Sequence, residues 1–209
     1  MTNYFRSIGL LIALWVAMTV SPVAAATIVV LGDSLSAGYG IGIDDAWPRL
    51  LEQRLRDTPE MANKNPRVIN ASISGETTAG GLSRLPRLLA EHRPHLVIVE
   101  LGANDGLRGL SLNAMRSNLD RTIKHIRKTG ATPLLVGMRL PPNYGRYAQD
   151  FERSFAALAE QSKTPFIPFL LAGIADRPEM FQPDGLHPTK DAQPLILGNI
   201  WPKVKSLLR

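Results

Sequence analysis

The chain has 209 residues, of which 44% are hydrophobic and 20% are charged, and this composition is typical of one globular domain or at most two. It contains no cysteine, which excludes disulfides, thiolate metal sites, a cysteine nucleophile and a lipoprotein anchor. The formal net charge is +6, but the basic residues are scattered in pairs without interleaved aromatic residues, which argues against a nucleic-acid-binding protein.

The N-terminus has the pattern of a secretory signal peptide. Arg6 supplies a positive charge, the run from Ile8 to Val20 is apolar, and Ala24 to Ala26 offers small residues for cleavage after residue 25 or 26. A retained membrane anchor is the alternative, but the 13 residues of this run are fewer than the ~20 that span a bilayer. We therefore expect residues 1–26 to be cleaved and residues 27–209 to form one periplasmic or secreted domain without a stable membrane anchor.

Beyond this segment, short β-branched or aliphatic runs alternate with segments of helical periodicity. In chain order the pattern predicts a strand over Thr27–Leu31, a helix over Ala46–Arg56, a strand over Arg67–Ala71, a helix over Thr78–His92, a strand over His95–Leu101, a helix over Leu112–Lys128, a strand over Pro133–Met138, a helix over Tyr147–Ser162, a strand over Pro165–Phe169 and a helix over Thr189–Leu208 with interruptions at Pro194 and Pro202. This alternation predicts a parallel sheet covered on both faces, which is a three-layer α/β/α sandwich.

Polar loops that contain glycine follow four of the predicted strands. The loops are Gly32 to Ser36 after the first strand, Ser74 to Glu76 after the second, Gly102 to Asp105 after the third, and Asp184 to Pro188 after the fifth strand and a short helical segment. Ligands of such sheets bind beyond the carboxyl ends of the strands. We therefore expect these loops to converge on one rim.

Ser34 and His187 are the candidate nucleophile and general base. A serine hydroxyl becomes a good nucleophile when a base such as histidine takes its proton, and the histidine needs a carboxylate that orients it. Asp184 precedes His187 by three residues, with Gly185 between them, so its carboxylate can curl back to the imidazole. Simpler interpretations exist: Asp33 or Ser34 as a helix N-cap, and Pro-Asp-Gly as an ordinary turn.

Gly75 and Asn104 are candidate donors to an oxyanion. A glycine lets the backbone N–H approach a substrate oxygen closely, and an asparagine amide can donate a second hydrogen bond. The alternative for Asn104-Asp105-Gly106 is a tight turn, in which these residues are common.

The joint occurrence of these motifs resembles the SGNH (GDSL) hydrolase family. Four blocks match: Gly32-Asp33-Ser34-Leu35-Ser36, Gly75, Gly102-x-Asn104-Asp105 and Asp184-x-x-His187, and the resemblance spans nearly all of residues 27–209. It implies a flavodoxin-like five-stranded parallel sheet and hydrolysis of acyl esters and thioesters through an acyl-serine, with no metal and no cofactor. It also implies that Ser34, Asp184 and His187 are catalytic, and that Ser34, Gly75 and Asn104 form the oxyanion hole.

The substrates that the resemblance implies are small acyl compounds: acyl-CoA thioesters, aryl and alkyl esters, and lysophospholipids. Candidate contacts to the acyl chain are Leu107 and Leu110, which follow Asn104, and Leu140, Pro141 and Pro142, with ordinary packing as the alternative. Tyr144 is a weaker candidate contact. An acyl-serine can also transfer its acyl group, so an acyltransferase or a carbohydrate deacetylase is the alternative function, and a non-catalytic binding module is a third. Nothing in the sequence demands more than a monomer.

Overall fold

The computed structural model describes residues 26–208, and in this range five strands form one parallel sheet. The strands are β1 (Thr27–Gly32), β2 (Arg67–Asn70), β3 (Leu96–Glu100), β4 (Thr132–Val136) and β5 (Phe166–Ile167), in the order β2-β1-β3-β4-β5. The predicted α/β fold with a flavodoxin-like parallel sheet is confirmed. The predicted signal peptide, apart from Ala26, lies outside the described residues.

The centre of the sheet is apolar on both faces. Within β1 and β3, Val30 pairs with Ile98 and Leu31 with Val99, and all four side chains are completely buried. Strands buried on both faces lose the alternation of polar and apolar residues, which is why these segments read as continuous hydrophobic runs.

Eight α-helices lie within residues 26–208. They are α1 (Ser34–Ala37), α2 (Trp47–Arg56), α3 (Pro59–Ala62), α4 (Thr78–His92), α5 (Ala103–Leu107), α6 (Leu112–Lys128), α7 (Gly145–Ser162) and α8 (Gln193–Leu207). On one face of the sheet α2 packs against α8, and on the other face α6 packs between α4 and α7. Right-handed crossovers between parallel strands produce this division into layers.

The last helix begins at Gln193 and not at Thr189 as predicted, and it also differs from its prediction at one proline. Pro194 lies in the first turn of α8, where a backbone N–H makes no hydrogen bond within the helix, so a proline there costs little. Pro202 lies inside the continuous helix. The predicted interruption at Pro202 is therefore wrong. Ile196, Ile200 and Val204 are completely buried on either side of Pro202. Burial of each such side chain is worth ~1.5–3 kcal/mol, and together they outweigh the ~3 kcal/mol that an internal proline costs.

The carboxyl ends of β1 and β3 approach each other closely at Gly32. A Cβ at this position would lie 2.8 Å from both the Glu100 carboxylate and the Ser36 side chain. The absence of a side chain at Gly32 therefore leaves room for the hydrogen bond from Ser36 in α1 to Glu100 at the end of β3, which holds the start of α1, and with it Ser34, at the sheet rim.

Candidate active site

Ser34, His187 and Asp184 form a chain of hydrogen bonds at the carboxyl edge of the sheet. The His187 Nε2 atom lies 2.9 Å from the Ser34 Oγ atom, and the His187 Nδ1 atom lies 2.7 Å from the Asp184 Oδ2 atom. In this arrangement Nδ1–H donates to the carboxylate, so Nε2 is left to accept the serine proton.

The turn that contains Asp184 presents its carboxylate to His187. Gly185 has a φ of +65°, and Asp184 Oδ1 accepts the backbone N–H groups of Leu186 and His187, each at 2.9 Å. The pKa of Asp184 falls to about 2 because its carboxylate accepts three hydrogen bonds. The largest effect comes from the backbone N–H of His187, followed by the His187 ring N–H and the backbone N–H of Leu186. The turn and the triad geometry are thus the same local structure, and Asp184 is a carboxylate at neutral pH.

Ser34 is the first residue of α1, and the helix is capped by its neighbour. The Asp33 side chain accepts a hydrogen bond from the Leu35 N–H at 3.0 Å, which is the N-cap interaction. The cap therefore belongs to Asp33, which leaves the Ser34 hydroxyl free to face His187.

Gly75 and Asn104 line the same cavity as Ser34. Gly75 has a φ of +78°, and its carbonyl accepts a hydrogen bond from the Arg108 guanidinium at 2.9 Å. The Asn104 Nδ2 atom lies 3.2 Å from Asp33 Oδ2. One amide hydrogen of Asn104 is thus used within the protein, and the other remains for a ligand.

Two buried carboxyl groups lie beneath the nucleophile. Burial raises the pKa of Asp33 from its ordinary 3.8 to about 6, against the hydrogen bonds from Leu35 and Asn104, which lower it. Burial and the neighbouring Asp33 charge raise the pKa of Glu100 well above its ordinary value, while Ser36 donates a hydrogen bond to Glu100 at 2.6 Å.

A cavity of about 1030 Å³ opens from the Ser34 hydroxyl. Beyond the polar groups it is lined mainly by apolar side chains: Leu107, Met138, Leu140, Pro141, Pro142, Ile167, Phe169, Leu171 and Phe181. Such a cavity, apolar with a few convergent polar groups at one end, is typical of sites that bind a small amphipathic molecule.

The candidate acyl-chain contacts differ in where they lie relative to this cavity. Its lining includes Leu107, Leu140, Pro141 and Pro142 but not Leu110 or Tyr144. The Tyr144 hydroxyl donates to the Leu107 carbonyl at 3.1 Å, and Tyr147 donates to the Leu110 carbonyl at 2.7 Å. Both tyrosines therefore support the loop from outside the cavity.

Tyr39 and Gln182 are neighbours of His187 that sequence reasoning missed. The rings of Tyr39 and His187 lie 4.3 Å apart between centroids, and the Gln182 side-chain amide donates to the carbonyls of Tyr39 and Pro188 at 2.7 and 3.1 Å. No local sequence pattern predicts a contact between residues so distant in the chain.

Residues 26–208 contain neither a cluster of metal-binding side chains nor a membrane-spanning helix. No group of three His, Asp or Glu side chains in this range can hold a metal ion. Over the same residues, no helix is both long and apolar enough to cross a bilayer.

Comparison with known proteins identifies a family. The sequence profile of the GDSL-like Lipase/Acylhydrolase family matches residues 30–193. The chain is 49% identical over 186 residues to the esterase TesA of Pseudomonas aeruginosa, and the aligned residues cover 88% of this chain and 90% of the relative. It is 42% identical over 182 residues to thioesterase 1/protease 1/lysophospholipase L1 of Escherichia coli K12, and the aligned residues cover 87% of this chain and 84% of the relative.

Solved structures of related proteins superpose on this chain. A crystal structure of TesA superposes with a TM-score of 0.82 at 48% identity, covering 87% of this chain and 99% of the other. The psychrotrophic esterase EstA from Pseudoalteromonas, inhibited by monoethylphosphonate, superposes with a TM-score of 0.81 at 40% identity, covering 88% and 98%. The chain therefore belongs to the GDSL-like lipase/acylhydrolase family and is an ester-cleaving serine hydrolase.

Proposed function

We propose that Ser34, His187 and Asp184 are the catalytic triad of this hydrolase and that it cleaves acyl esters and thioesters through an acyl-serine. The observation that carries the proposal is the unbroken chain of hydrogen bonds from the Asp184 carboxylate through His187 to the Ser34 hydroxyl. Gly75 and Asn104, which line the same cavity, are the proposed oxyanion donors together with the Ser34 N–H.

In the acylation step, Ser34 Oγ attacks the carbonyl carbon while His187 Nε2 takes the hydroxyl proton. The carbonyl oxygen becomes an oxyanion and accepts hydrogen bonds from the three donors, each of which is worth ~10²–10³ in rate. The ionised Asp184 stabilises the imidazolium. His187 then gives the proton to the leaving oxygen or sulfur as its bond to the acyl carbon breaks.

In the deacylation step, water replaces the leaving group. His187 Nε2 takes a proton from the water as its oxygen attacks the acyl carbon, and the same donors receive the second oxyanion. Collapse of this intermediate breaks the bond to Ser34 Oγ, which regains its proton from His187. The free fatty acid leaves and the triad returns to its starting state.

The substrate classes that we propose are acyl-CoA thioesters, aryl and alkyl esters, and lysophospholipids. All three present the same carbonyl to the same donors and differ only in the leaving group. The apolar walls of the cavity, such as Met138, Leu140 and Phe169, support an acyl chain rather than a sugar as the bound portion. The names of the two relatives, an esterase and thioesterase 1/protease 1/lysophospholipase L1, support ester, thioester and lysophospholipid substrates.

A substrate panel with Ser34→Ala as its control tests the proposal. We expect the wild type to hydrolyse acyl-CoA, lysophospholipid and p-nitrophenyl esters, to prefer acyl chains longer than acetyl, and to be labelled by a fluorophosphonate. Ser34→Ala should fold normally, lose hydrolysis of every substrate and escape labelling. A preference for acetylated sugars would support the deacetylase alternative, and retained activity in Ser34→Ala would contradict the triad.

We also propose that residues 1–25 are a cleaved signal peptide and that the mature chain is an exported monomer. The packing of Ala26 supports the earlier of the two predicted cuts, because its N–H donates to the Lys64 carbonyl at 2.9 Å and its carbonyl accepts the Arg67 N–H at 3.2 Å. A cut after Ala26 would remove both hydrogen bonds. Intact-mass analysis of protein from the periplasm and light scattering of the purified chain test these proposals, and a mature chain that begins at Thr27 would contradict the position of the cut.

A further inference from the structure

The Asp33 carboxylate accepts hydrogen bonds from two segments that carry donors of the proposed oxyanion hole, the start of α1 and the loop after β3. It is completely buried, and the carboxylate has one acceptor for each of two donors: Oδ1 for the Leu35 N–H at 3.0 Å and Oδ2 for the Asn104 Nδ2 at 3.2 Å. The first contact holds the start of α1, where the Ser34 N–H lies. The second contact holds a side chain that follows β3.

The backbone of Asp33 is itself anchored from below. Its N–H donates to the Glu100 carboxylate at 3.3 Å, and the same carboxylate oxygen accepts the Ser36 hydroxyl at 2.6 Å. Glu100 is the last residue of β3, the strand that leads to Asn104. The Asp33 carboxylate is therefore fixed relative to β1 and β3, the strands that lead to Ser34 and Asn104.

An asparagine amide can face its surroundings in two orientations that have almost the same shape. One presents the NH₂ group and the other the carbonyl oxygen, and only hydrogen-bond partners decide between them. An ionised carboxylate has acceptors only, so Asp33 selects the orientation in which Asn104 Nδ2 faces it. In that orientation the same nitrogen carries a second hydrogen, which is available to an oxyanion in the cavity.

We propose that Asp33 is a positioning residue for the oxyanion hole, because it holds the Asn104 amide in the orientation that donates to the substrate oxyanion. This proposal rests on the proposed role of Asn104. It assigns Asp33 a part in the rate of the reaction that goes beyond its role as the N-cap of α1.

Two substitutions separate positioning from capping. Asp33→Ser keeps a good N-cap for Leu35 but removes the acceptor for Asn104. Asp33→Asn keeps the shape but supplies only one acceptor, so one of the two donors faces an NH₂ group. If Asp33 acts on Asn104, Asp33→Ser should lower kcat by ~10–10²-fold with little change in KM, since the lost interaction is made in the transition state. Asp33→Asn should lower kcat where its NH₂ group faces Asn104, or thermal stability where its NH₂ group faces the Leu35 N–H. If Asp33 is only a cap, Asp33→Ser should keep the wild-type kcat.

A double-mutant cycle with Asn104→Ala makes the test specific. Asn104→Ala alone should lower kcat by ~10²–10³-fold. In that background Asp33→Ser should cost less than about 2-fold, because the group through which Asp33 acts is gone. A merely structural effect of Asp33→Ser would multiply with that of Asn104→Ala, and full additivity would overturn the proposal.

The cycle also distinguishes this proposal from the one on which it rests. If Asn104→Ala keeps the wild-type kcat, the oxyanion role of Asn104 fails and the positioning role fails with it. If Asn104→Ala is slow but Asp33→Ser and Asp33→Asn keep the wild-type kcat, only the positioning role fails. Thermal denaturation of each variant identifies loss of folding, and fluorophosphonate labelling of Ser34 measures the attack step in whatever folded fraction remains.

Discussion

The ring of Tyr39 lies against the ring of His187, with centroids 4.3 Å apart and planes tilted by 35°. Tyr39 belongs to the loop that follows the Ser34 helix, and His187 belongs to the loop before α8. Gln182 joins the two loops, because its side chain donates to the Tyr39 carbonyl at 2.7 Å and its N–H donates to the His187 carbonyl at 2.8 Å. The proposed base is thus held by Asp184 through its Nδ1 atom and by Tyr39 through the contact between the two rings.

Replacement of Tyr39 should slow catalysis without loss of the triad. In Tyr39→Ala the imidazole loses the surface against which it packs, and small displacements of a catalytic group cost up to ~10²-fold in rate. We expect kcat for a p-nitrophenyl ester to fall by about 10-fold, with a smaller loss in Tyr39→Phe, which keeps the ring. Equal losses in the two variants would instead assign the effect to the Tyr39 hydroxyl.

Asp184→Asn should lose activity to a similar extent at every pH above about 4. The pKa of Asp184 is about 2, so its carboxylate is ionised throughout that range. The amide that replaces it cannot accept the Nδ1–H in the same way, and this change costs ~10⁴ in kcat for a serine triad. The measurement is kcat as a function of pH for both proteins, and a variant that recovers at either end of the range would contradict the assignment.

The orientation of the Asn104 amide should depend on the ionisation of Asp33. Burial raises the pKa of Asp33 to about 6, in surroundings that also hold Glu100, Asp105 and His187. As the pH falls through this value Asp33 gains a proton, and its oxygen becomes a donor that no longer requires the Nδ2 group opposite it. In NMR spectra, the side-chain amide signals that Asn104→Ala removes should shift with a midpoint near pH 6.

The control for that titration is the same experiment in two other variants. His187→Gln removes the nearby imidazole, and the shift near pH 6 should persist in it. Asp33→Ser removes the carboxyl group, and the shift should disappear. A shift that follows His187 and ignores Asp33 would contradict the interpretation.

Asp105 should contribute more to the free energy of unfolding than an exposed aspartate that makes an ion pair. It is 4% exposed and accepts both the N–H and the hydroxyl of Thr78, at 2.9 and 2.6 Å, which fastens α5 to the start of α4. Asp105→Ala leaves two buried donors without an acceptor, and we expect the free energy of unfolding to fall by about 2–4 kcal/mol.

The matched control is Asp120→Ala. Asp120 pairs with Lys124 on the surface of α6 at 2.6 Å, and the lysine side chain is 65% exposed. Exposed pairs of this kind contribute ~0–1 kcal/mol. Urea denaturation measures both variants, and equal losses would show that the Thr78 contacts contribute nothing beyond those of a surface pair.

The sequence by itself determined the order and type of the main elements. The strands β1, β3 and β4 are runs of aliphatic residues that only a sheet covered on both faces can bury, and α6 shows apolar residues at helical spacing; both are local signals. The loops that carry Ser34, Gly75, Asn104 and His187 were predictable as one rim, because parallel strands end at the same edge.

Tertiary structure alone decided which side chains meet. The contact of Tyr39 with His187, the bond between Asp33 and Asn104, and the exclusion of Leu110 and Tyr144 from the cavity join segments far apart in the chain. No periodicity records such contacts, because they depend on the paths of whole loops. Tertiary packing also decided the structure at Pro202. An internal proline predicts a break in the helix, but the burial of Ile200 and Val204 in the core keeps α8 continuous.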